Sequence, residues 1–420
     1  MRIDSKLRVA LSVGLLGLCA VLGAAFALTH TMVAAAEPGV AGDDGSVTLP
    51  GLTIPESSLL SAETHDALRQ AREIKSRERA TKAPCPPLDR ANPAEVPEIR
   101  KCEAEAFYTT PLYREMVNRY DVKITSMETA GVYSEVFVPT GGVTPENKER
   151  VLLNLHGGGF MYGSGVASRL ESIPISSIGK IEVISVDYRM APLYSFPSAT
   201  EDVVIVYREL LKSYDPKSIG IFGCSAGGVL TAETLSWLQK EGLPLPGAAG
   251  MFCGAAGFWT EGDSGYMGPA LAGTPSSVHR DLYLKYFKDS NPNDPLVFPI
   301  RSPRVLANFP PSLLITSTRD VALSSVVSTH AILVKQGVEA ELHVFEGLGH
   351  AFFMDPTIPE SRDVYDIVVK FFDKHLNKRE EFGGVHAGVC DHLADWIDGG
   401  PGNASESCGS ISYSNTNRIR

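Results

Sequence analysis

The sequence predicts one large α/β domain: a mostly parallel, doubly wound sheet that carries a helical cap. Three observations predict it. Short apolar runs near residues 151, 181, 218, 248, 312 and 340 alternate with helical stretches, the pattern of a parallel sheet covered on both faces. Two glycine motifs directly follow two of those runs. His156-Gly157-Gly158-Gly159 follows Val151-Leu152-Leu153-Asn154-Leu155, and Gly223-Cys224-Ser225-Ala226-Gly227 follows Ser218-Ile219-Gly220-Ile221-Phe222. Finally, 420 residues with 44% hydrophobic composition suffice for such a core and a cap, and the chain shows no internal repeat.

In chain order, Arg2, Lys6 and Arg8 precede a charge-free stretch from Val9 to Leu28, and Ala34-Ala35-Ala36 stands before Glu37. This is the layout of a secretory signal peptide over residues 1–36. The apolar run is also long enough to stay in a membrane as an anchor, although Ser12, Gly14, Gly17 and Gly23 interrupt it. The chain is therefore expected to be secreted or periplasmic, with membrane anchoring through residues 9–28 as the alternative. Residues 37–56 are acidic and rich in Gly and Pro, and read as a flexible linker.

The catalytic domain is expected over 57–376. Ser61–Glu78 and Ala104–Arg119 have helical composition and form the first part of a cap, about 57–120. Val122–Pro139 reads as a hairpin turning at Ala130-Gly131. Ser198-Ala199-Thr200-Glu201 is a capping-box sequence opening a helix, and Gly228–Glu241 is the helix behind the second glycine motif. The segment 255–304 interrupts the alternation with Phe258, Trp259, Tyr266, Tyr283, Tyr286 and Phe287, and reads as the second part of the cap. Residues 377–420 are a polar, Gly- and Ser-rich extension to which the sequence assigns no function.

The chemistry lies in the two glycine motifs. A GxSxG pentapeptide arises by chance roughly 0.3 times in such a chain and His-Gly-Gly-Gly roughly 0.01 times, so the second carries the weight. A serine hydroxyl needs a neighbouring base and an exposed strand-to-helix turn to act as a nucleophile. Ser225 has that context. Backbone N–H groups of Gly158, Gly159 and Ala226 form the expected oxyanion hole for the charge that grows on an attacked carbonyl, with His156 and Gly157 orienting the loop. The order nucleophile, acid, histidine then selects Asp320, after the strand Ser312–Arg319, and His350, after Glu341–Phe345 and a glycine loop. Asp355 and Asp363 follow His350 and break that order; His343 sits within the strand and reads as structural. Phe160, Tyr162, Phe352 and Trp259 are the expected pocket walls.

These motifs, with Asp187-Tyr188-Arg189-Met190-Ala191-Pro192, Phe196-Pro197, Asp202 and Asp294-Pro295, make the chain resemble the hormone-sensitive-lipase-like branch of the α/β-hydrolases over roughly residues 55 to 376. The resemblance implies an α/β-hydrolase fold, a serine esterase activity on a small-molecule ester, and Ser225, Asp320 and His350 as triad; no residue spacing in the chain reads as a metal site, and no cofactor is expected. Four positions depart from the family pattern: Cys224 for Asp or Thr, Leu193 for Glu, Ala351 for Gly and Ser324 for Asp. Such differences at a pocket edge change which acyl and alcohol groups fit. Short to medium acyl esters are expected, with a lactone or an acetylated polysaccharide as alternatives on the same machinery. A non-catalytic small-molecule receptor is disfavoured by His350, and a prolyl-oligopeptidase-type peptidase by the HGGG loop.

A formal net charge of −11 argues against nucleic acid as a partner. Oligomeric state is not legible. Of the cysteines beyond the signal, Cys85 pairs most simply with Cys102 and Cys390 with Cys408, while cross-linking between the tails is the alternative; Cys224 and Cys253 read as free thiols.

Overall fold

A computed structural model describes residues 53–377 apart from 79–84, 89–90 and 273–284, together with 40, 41, 43, 46–48 and 51. The signal segment 1–36, the extension beyond 377, Tyr283 and the Cys390 and Cys408 pair lie outside the described residues. Within the expected linker, Val40–Ala41 pairs antiparallel with Val47–Thr48, and the carbonyl of Pro55 accepts a hydrogen bond from Arg319 at 2.6 Å. The linker is therefore not uniformly unstructured.

Eight strands form one sheet: β1 Val122–Thr129, β2 Val132–Pro139, β3 Val151–Leu155, β4 Glu182–Val186, β5 Ile219–Cys224, β6 Ala248–Phe252, β7 Ser312–Arg319 and β8 Ala340–Gly349. Their spatial order is β8-β7-β6-β5-β3-β4-β2-β1. The β1–β2 hairpin and the β2–β4 pair are antiparallel, and the rest are parallel. β3, β5 and β6 are buried at every residue, as strands covered on both faces must be. In register, Leu155 faces Gly223, Cys224 faces Phe252 and Phe252 faces Ile315. The C-terminal ends of the central strands are thus level, which sets the two glycine motifs side by side.

Helices α1 Ala62–Glu78, α2 Val96–Tyr108, α3 Pro111–Arg119, α4 Ala167–Gly179, α5 Ser198–Leu210, α6 Ala226–Lys240, α7 Ser264–Leu271, α8 Leu323–Lys335 and α9 Pro359–His375 surround the sheet. Two apolar clusters result, one holding Leu153, Ile221, Val229 and Met251, the other Leu152, Phe222, Leu313 and Phe372. The alternation of side chains along each strand sends neighbours to opposite faces.

Three local expectations need correction. The helix expected over Ala104–Arg119 is two helices. Thr110 is extended (φ −71, ψ 151) and its side chain caps Tyr113 N–H, because Pro111 has no N–H and disfavours a helical residue before it. The capping box at Ser198 does not form: Pro197 is the N-cap, Ser198 is the first helical residue, and the Glu201 carboxylate accepts from Arg189 at 3.0 Å instead. The glycine loop 346–349 belongs to β8, entering it through a register shift between Phe345 and Gly349. Cys85 and Cys102 are joined by a disulfide that ties residue 85 to the middle of α2.

Candidate active site

Ser225 stands between β5 and α6 with φ +59 and ψ −120, a left-handed backbone that costs a non-glycine residue about 1–3 kcal/mol and persists only where its surroundings leave no other choice. Here they leave none. The Ser225 N–H donates to the Phe252 carbonyl at 2.7 Å. A Cβ added at Gly223 or Gly227 would lie 2.1 or 1.7 Å from the Leu155 carbonyl oxygen, and one at Gly254 would lie 2.3 Å from that of Ser225. Only glycine lets β3, β5 and α6 approach this closely, and the approach forces the turn that presents the hydroxyl.

Asp320 follows the end of β7, and His350 follows β8. His350 Nε2 is 2.9 Å from Ser225 Oγ, and its Nδ1 is 2.6 Å from Asp320 Oδ1. Asp320 is 1% exposed. It also accepts from the Ala322 N–H at 2.9 Å and the Thr316 hydroxyl at 2.8 Å. Burial pushes its carboxyl up, but the facing His350 and these hydrogen bonds outweigh burial and hold it below the ordinary carboxylate range. The histidine arm is held in turn: Ser317 Oγ donates to the Gly349 carbonyl at 3.0 Å, Gly347 N–H donates to Thr318 Oγ1 at 2.8 Å, and Ala351 N–H, at φ +55, donates to Cys253 Sγ at 3.3 Å. The indole of Trp259 lies 5.0 Å from the imidazole, centroid to centroid.

The loop 156–163 is pinned from several sides. Tyr188 OH donates to the His156 carbonyl at 2.6 Å, and its ring stacks on the imidazole at 4.3 Å. His156 Nδ1 bonds the Gly157 carbonyl at 2.8 Å. Burial pushes this imidazole down to about 4, so it is neutral and donates from Nδ1. The Gly158 carbonyl accepts from Met161 and Tyr162, that of Phe160 from Ala191, and those of Met161 and Ala191 from the guanidinium of Arg100 on α2. Gly157 N–H donates to Glu171 Oε1 at 2.8 Å. The N–H groups of Gly158, Gly159 and Ala226 take part in none of the hydrogen bonds among the described residues. Gly158 has φ +122, where a Cβ would meet the Tyr162 carbonyl at 2.1 Å.

The expected pocket walls separate. Trp259 lies against His350. Phe160, however, is wholly buried, stacked on Tyr286 at 4.4 Å and set against Tyr188 and Phe287; its left-handed φ of +57 belongs to a residue fixed in the core. Phe352 likewise packs against Phe345 and Phe353. Tyr162 is half-buried against the core. Of the cap aromatics, Tyr286 and Phe287 are core residues: Tyr286 OH accepts from Ala199 N–H at 2.8 Å. Tyr266 is 75% exposed. Cys224 and Cys253 are free and buried, and burial raises both thiols, Cys253 to about 11, so neither is a thiolate at neutral pH.

Two polar residues that position the site escaped sequence reading: Arg100 and Glu171. A cluster of Glu339, Glu341 and His375 at the far end of β8 offers ligand atoms within 4.8 Å of one another, but Lys374 Nζ already holds the two carboxylates at 2.8 and 3.0 Å.

This sheet order, with a serine at a strained strand-to-helix turn, defines a hydrolase of the α/β type. The comparisons agree. A family model described as alpha/beta hydrolase fold matches residues 152–354. An acetyl-hydrolase of Streptomyces hygroscopicus is 29% identical over 225 residues, 53% of this chain and 75% of its own. The versiconal hemiacetal acetate esterase of Dothistroma septosporum is 26% identical over 257 residues, 58% and 77%. Among solved structures, esterase E25 superposes with a TM-score of 0.67 at 28% identity, covering 79% of this chain and 99% of its own. An esterase of the bacterial hormone-sensitive lipase family does so at 0.63 and 26%, covering 76% and 99%. The chain has the α/β-hydrolase fold, is similar to esterases of the bacterial hormone-sensitive lipase family, and is a carboxylic ester hydrolase.

Proposed function

We propose that the protein is a serine carboxylesterase in which Ser225 is the nucleophile, His350 the general base and acid, and Asp320 the group that orients the imidazole. The observation that carries this reading is the unbroken line from Asp320 Oδ1 through His350 to Ser225 Oγ, at 2.6 and 2.9 Å, beside three uncommitted backbone N–H groups. Ser225 Oγ bonds to the acyl carbon while its proton passes to His350 Nε2. The carbonyl electron pair moves to oxygen, which accepts from Gly158, Gly159 and Ala226; each such donor is worth about 3 kcal/mol in the transition state. Collapse breaks the bond to the alcohol, which leaves with the proton from Nε2, and water releases the acyl group by the same route.

The substrates are short to medium acyl esters, acetyl esters among them, as the names of the acetyl-hydrolase and acetate esterase relatives suggest. In this reading helices α2 and α3 and the described part of the segment 255–304 form the cap, and Trp259 is the aromatic of that segment that lies against the imidazole among the described residues. Residues 1–36 export the chain. Replacing Ser225 by Ala lowers turnover of p-nitrophenyl esters by about 10⁶-fold and abolishes organophosphonate labelling. Run from acetate to palmitate beside a lactone and an acetylated sugar, the parent shows a graded optimum between two and eight carbons, each methylene contributing about 1–3 kcal/mol. Labelling that persists in Ser225→Ala would move the nucleophile, and faster turnover of palmitate than butyrate would make the enzyme a lipase.

A further inference from the structure

Glu171 lies on α4, in a helix whose inner face is otherwise apolar or small, and is buried to 3% exposure. Its carboxylate reaches two loops at once. Oε1 accepts from Gly157 N–H at 2.8 Å, and Oε2 accepts from Cys224 N–H at 3.2 Å and from Asn154 Nδ2 at 2.9 Å. Gly157 belongs to the loop that carries Gly158 and Gly159; Cys224 immediately precedes Ser225. Asn154 is itself fixed by the Ser185 hydroxyl, which donates to its Oδ1 at 2.6 Å. A Cβ at Gly157 would lie 3.3 Å from Oε1 and 3.4 Å from Ser225 Cβ, so the loop is wedged between the carboxylate and the serine.

We infer that Glu171 is a positioning residue for ester hydrolysis: one carboxylate sets the distance between the oxyanion N–H groups and the nucleophile by binding the residue next to each. This rests on the reading of Ser225 as nucleophile. Stability alone does not account for a carboxylate here. Its surroundings are Ile175, Phe222, Phe252, Phe353, Val364, Tyr365 and Val368, which border a small cavity beside it, and an apolar side chain would pack against them without desolvating a charge. No cationic side chain pairs with it among the described residues. Burial pushes the carboxyl up, but the groups hydrogen-bonded to its oxygens, Gly157 N–H, Asn154 Nδ2 and Cys224 N–H, are all donors and none among the described residues accepts a carboxyl proton, so these bonds hold the ionised form. What the carboxylate supplies and an apolar group cannot is two acceptor atoms for N–H donors on two separate segments. Glutamine supplies one acceptor and turns an NH₂ toward the other donor, so it holds one segment and repels the second.

The test compares parent, Glu171→Gln, Glu171→Asp and Ser225→Ala. The readouts are kcat and KM for p-nitrophenyl butyrate, affinity for a short-chain trifluoromethyl ketone, which forms a hemiketal oxyanion on the serine, and melting temperature. In Glu171→Gln, kcat falls about 10²-fold and ketone affinity falls in parallel, while KM stays within about twofold, because the hole is used only when the oxyanion forms. Glu171→Asp keeps both acceptors at shorter reach and recovers part of the loss. If the Gln variant does not fold, the Asp variant is read by the same split against the parent. Ketone affinity and kcat within about threefold of the parent in a folded variant, whatever its melting temperature, would overturn the inference. Retained turnover in Ser225→Ala would overturn the nucleophile assignment along with it; loss there with parent-like ketone binding in the Glu171 variants overturns this inference alone.

Discussion

Ser225 Oγ and His350 Nε2 are 2.9 Å apart, yet the chain holds the two by different means. The serine turn is fixed by contact: backbone carbonyls of Leu155 and Ser225 occupy the space where side chains on Gly223, Gly227 and Gly254 would begin. The histidine arm is fixed by directed hydrogen bonds, donated by Ser317 and accepted by Asp320, Thr318 and Cys253, at the end of an edge strand that shifts register just before it. A contact-held segment has one geometry or none, whereas a bond-held segment loses order in proportion to the bonds removed. Changes at the turn should therefore act on folding, and changes at the arm on turnover.

The largest expected effect is Gly227→Ala. Its Cβ would stand 1.7 Å from the Leu155 oxygen, a clash that relaxes only if β3 and α6 separate; overpacking of this kind costs upwards of about 3 kcal/mol. Little folded protein is expected, and a soluble variant melting within a few degrees of the parent would break the comparison. Next comes Asp320→Asn, which keeps the arm in place but favours the wrong imidazole tautomer, lowering turnover on the order of 10⁴-fold in a protein with a parent-like circular dichroism spectrum. An unfolded Asn variant would place the arm in the contact-held class. The smallest effect concerns acid. Because the Asp320 carboxyl is held below its ordinary value, the stability it contributes is complete above about pH 4 and is lost as pH falls through the lowered native value. Denaturant titrations from pH 5 downward should show the unfolding free energy of the parent falling more steeply than that of Asp320→Asn, by up to about 1.4 kcal/mol per pH unit. Parallel slopes would remove Asp320 as the source.

The sheet was legible because β3, β5 and β6 are short, mostly apolar runs with glycine-containing turns just after them, and the hairpin because Ala130-Gly131 interrupts two alternating runs. The triad candidates were legible because their chain order is restrictive and each follows a strand. What escaped notice depends on tertiary placement. Glu171 sits in ASRLESIPISSIG, where a lone acid reads as a solvated helix position and Pro174 blurs the helix itself; only the meeting of α4 with two distant loops buries it. Phe160 and Phe352 were expected at the pocket because they adjoin motifs, but adjacency in sequence does not tell which way a backbone in the left-handed region, as at Phe160, sends its ring. Ser198 carried the right letters for a cap, and the chain entered the helix one residue earlier, at Pro197.

Arg100 ties readiness to act to the beginning of the domain. It precedes every strand of the sheet, and its guanidinium holds the Met161 and Ala191 carbonyls at 3.2 and 2.7 Å. A chain clipped by a protease between α3 and β1 would keep all eight strands and still forfeit that clasp once the severed helices drifted away. Turnover would then decay on the timescale of their departure, so that catalysis itself becomes a clock for the detachment of the amino-terminal arm.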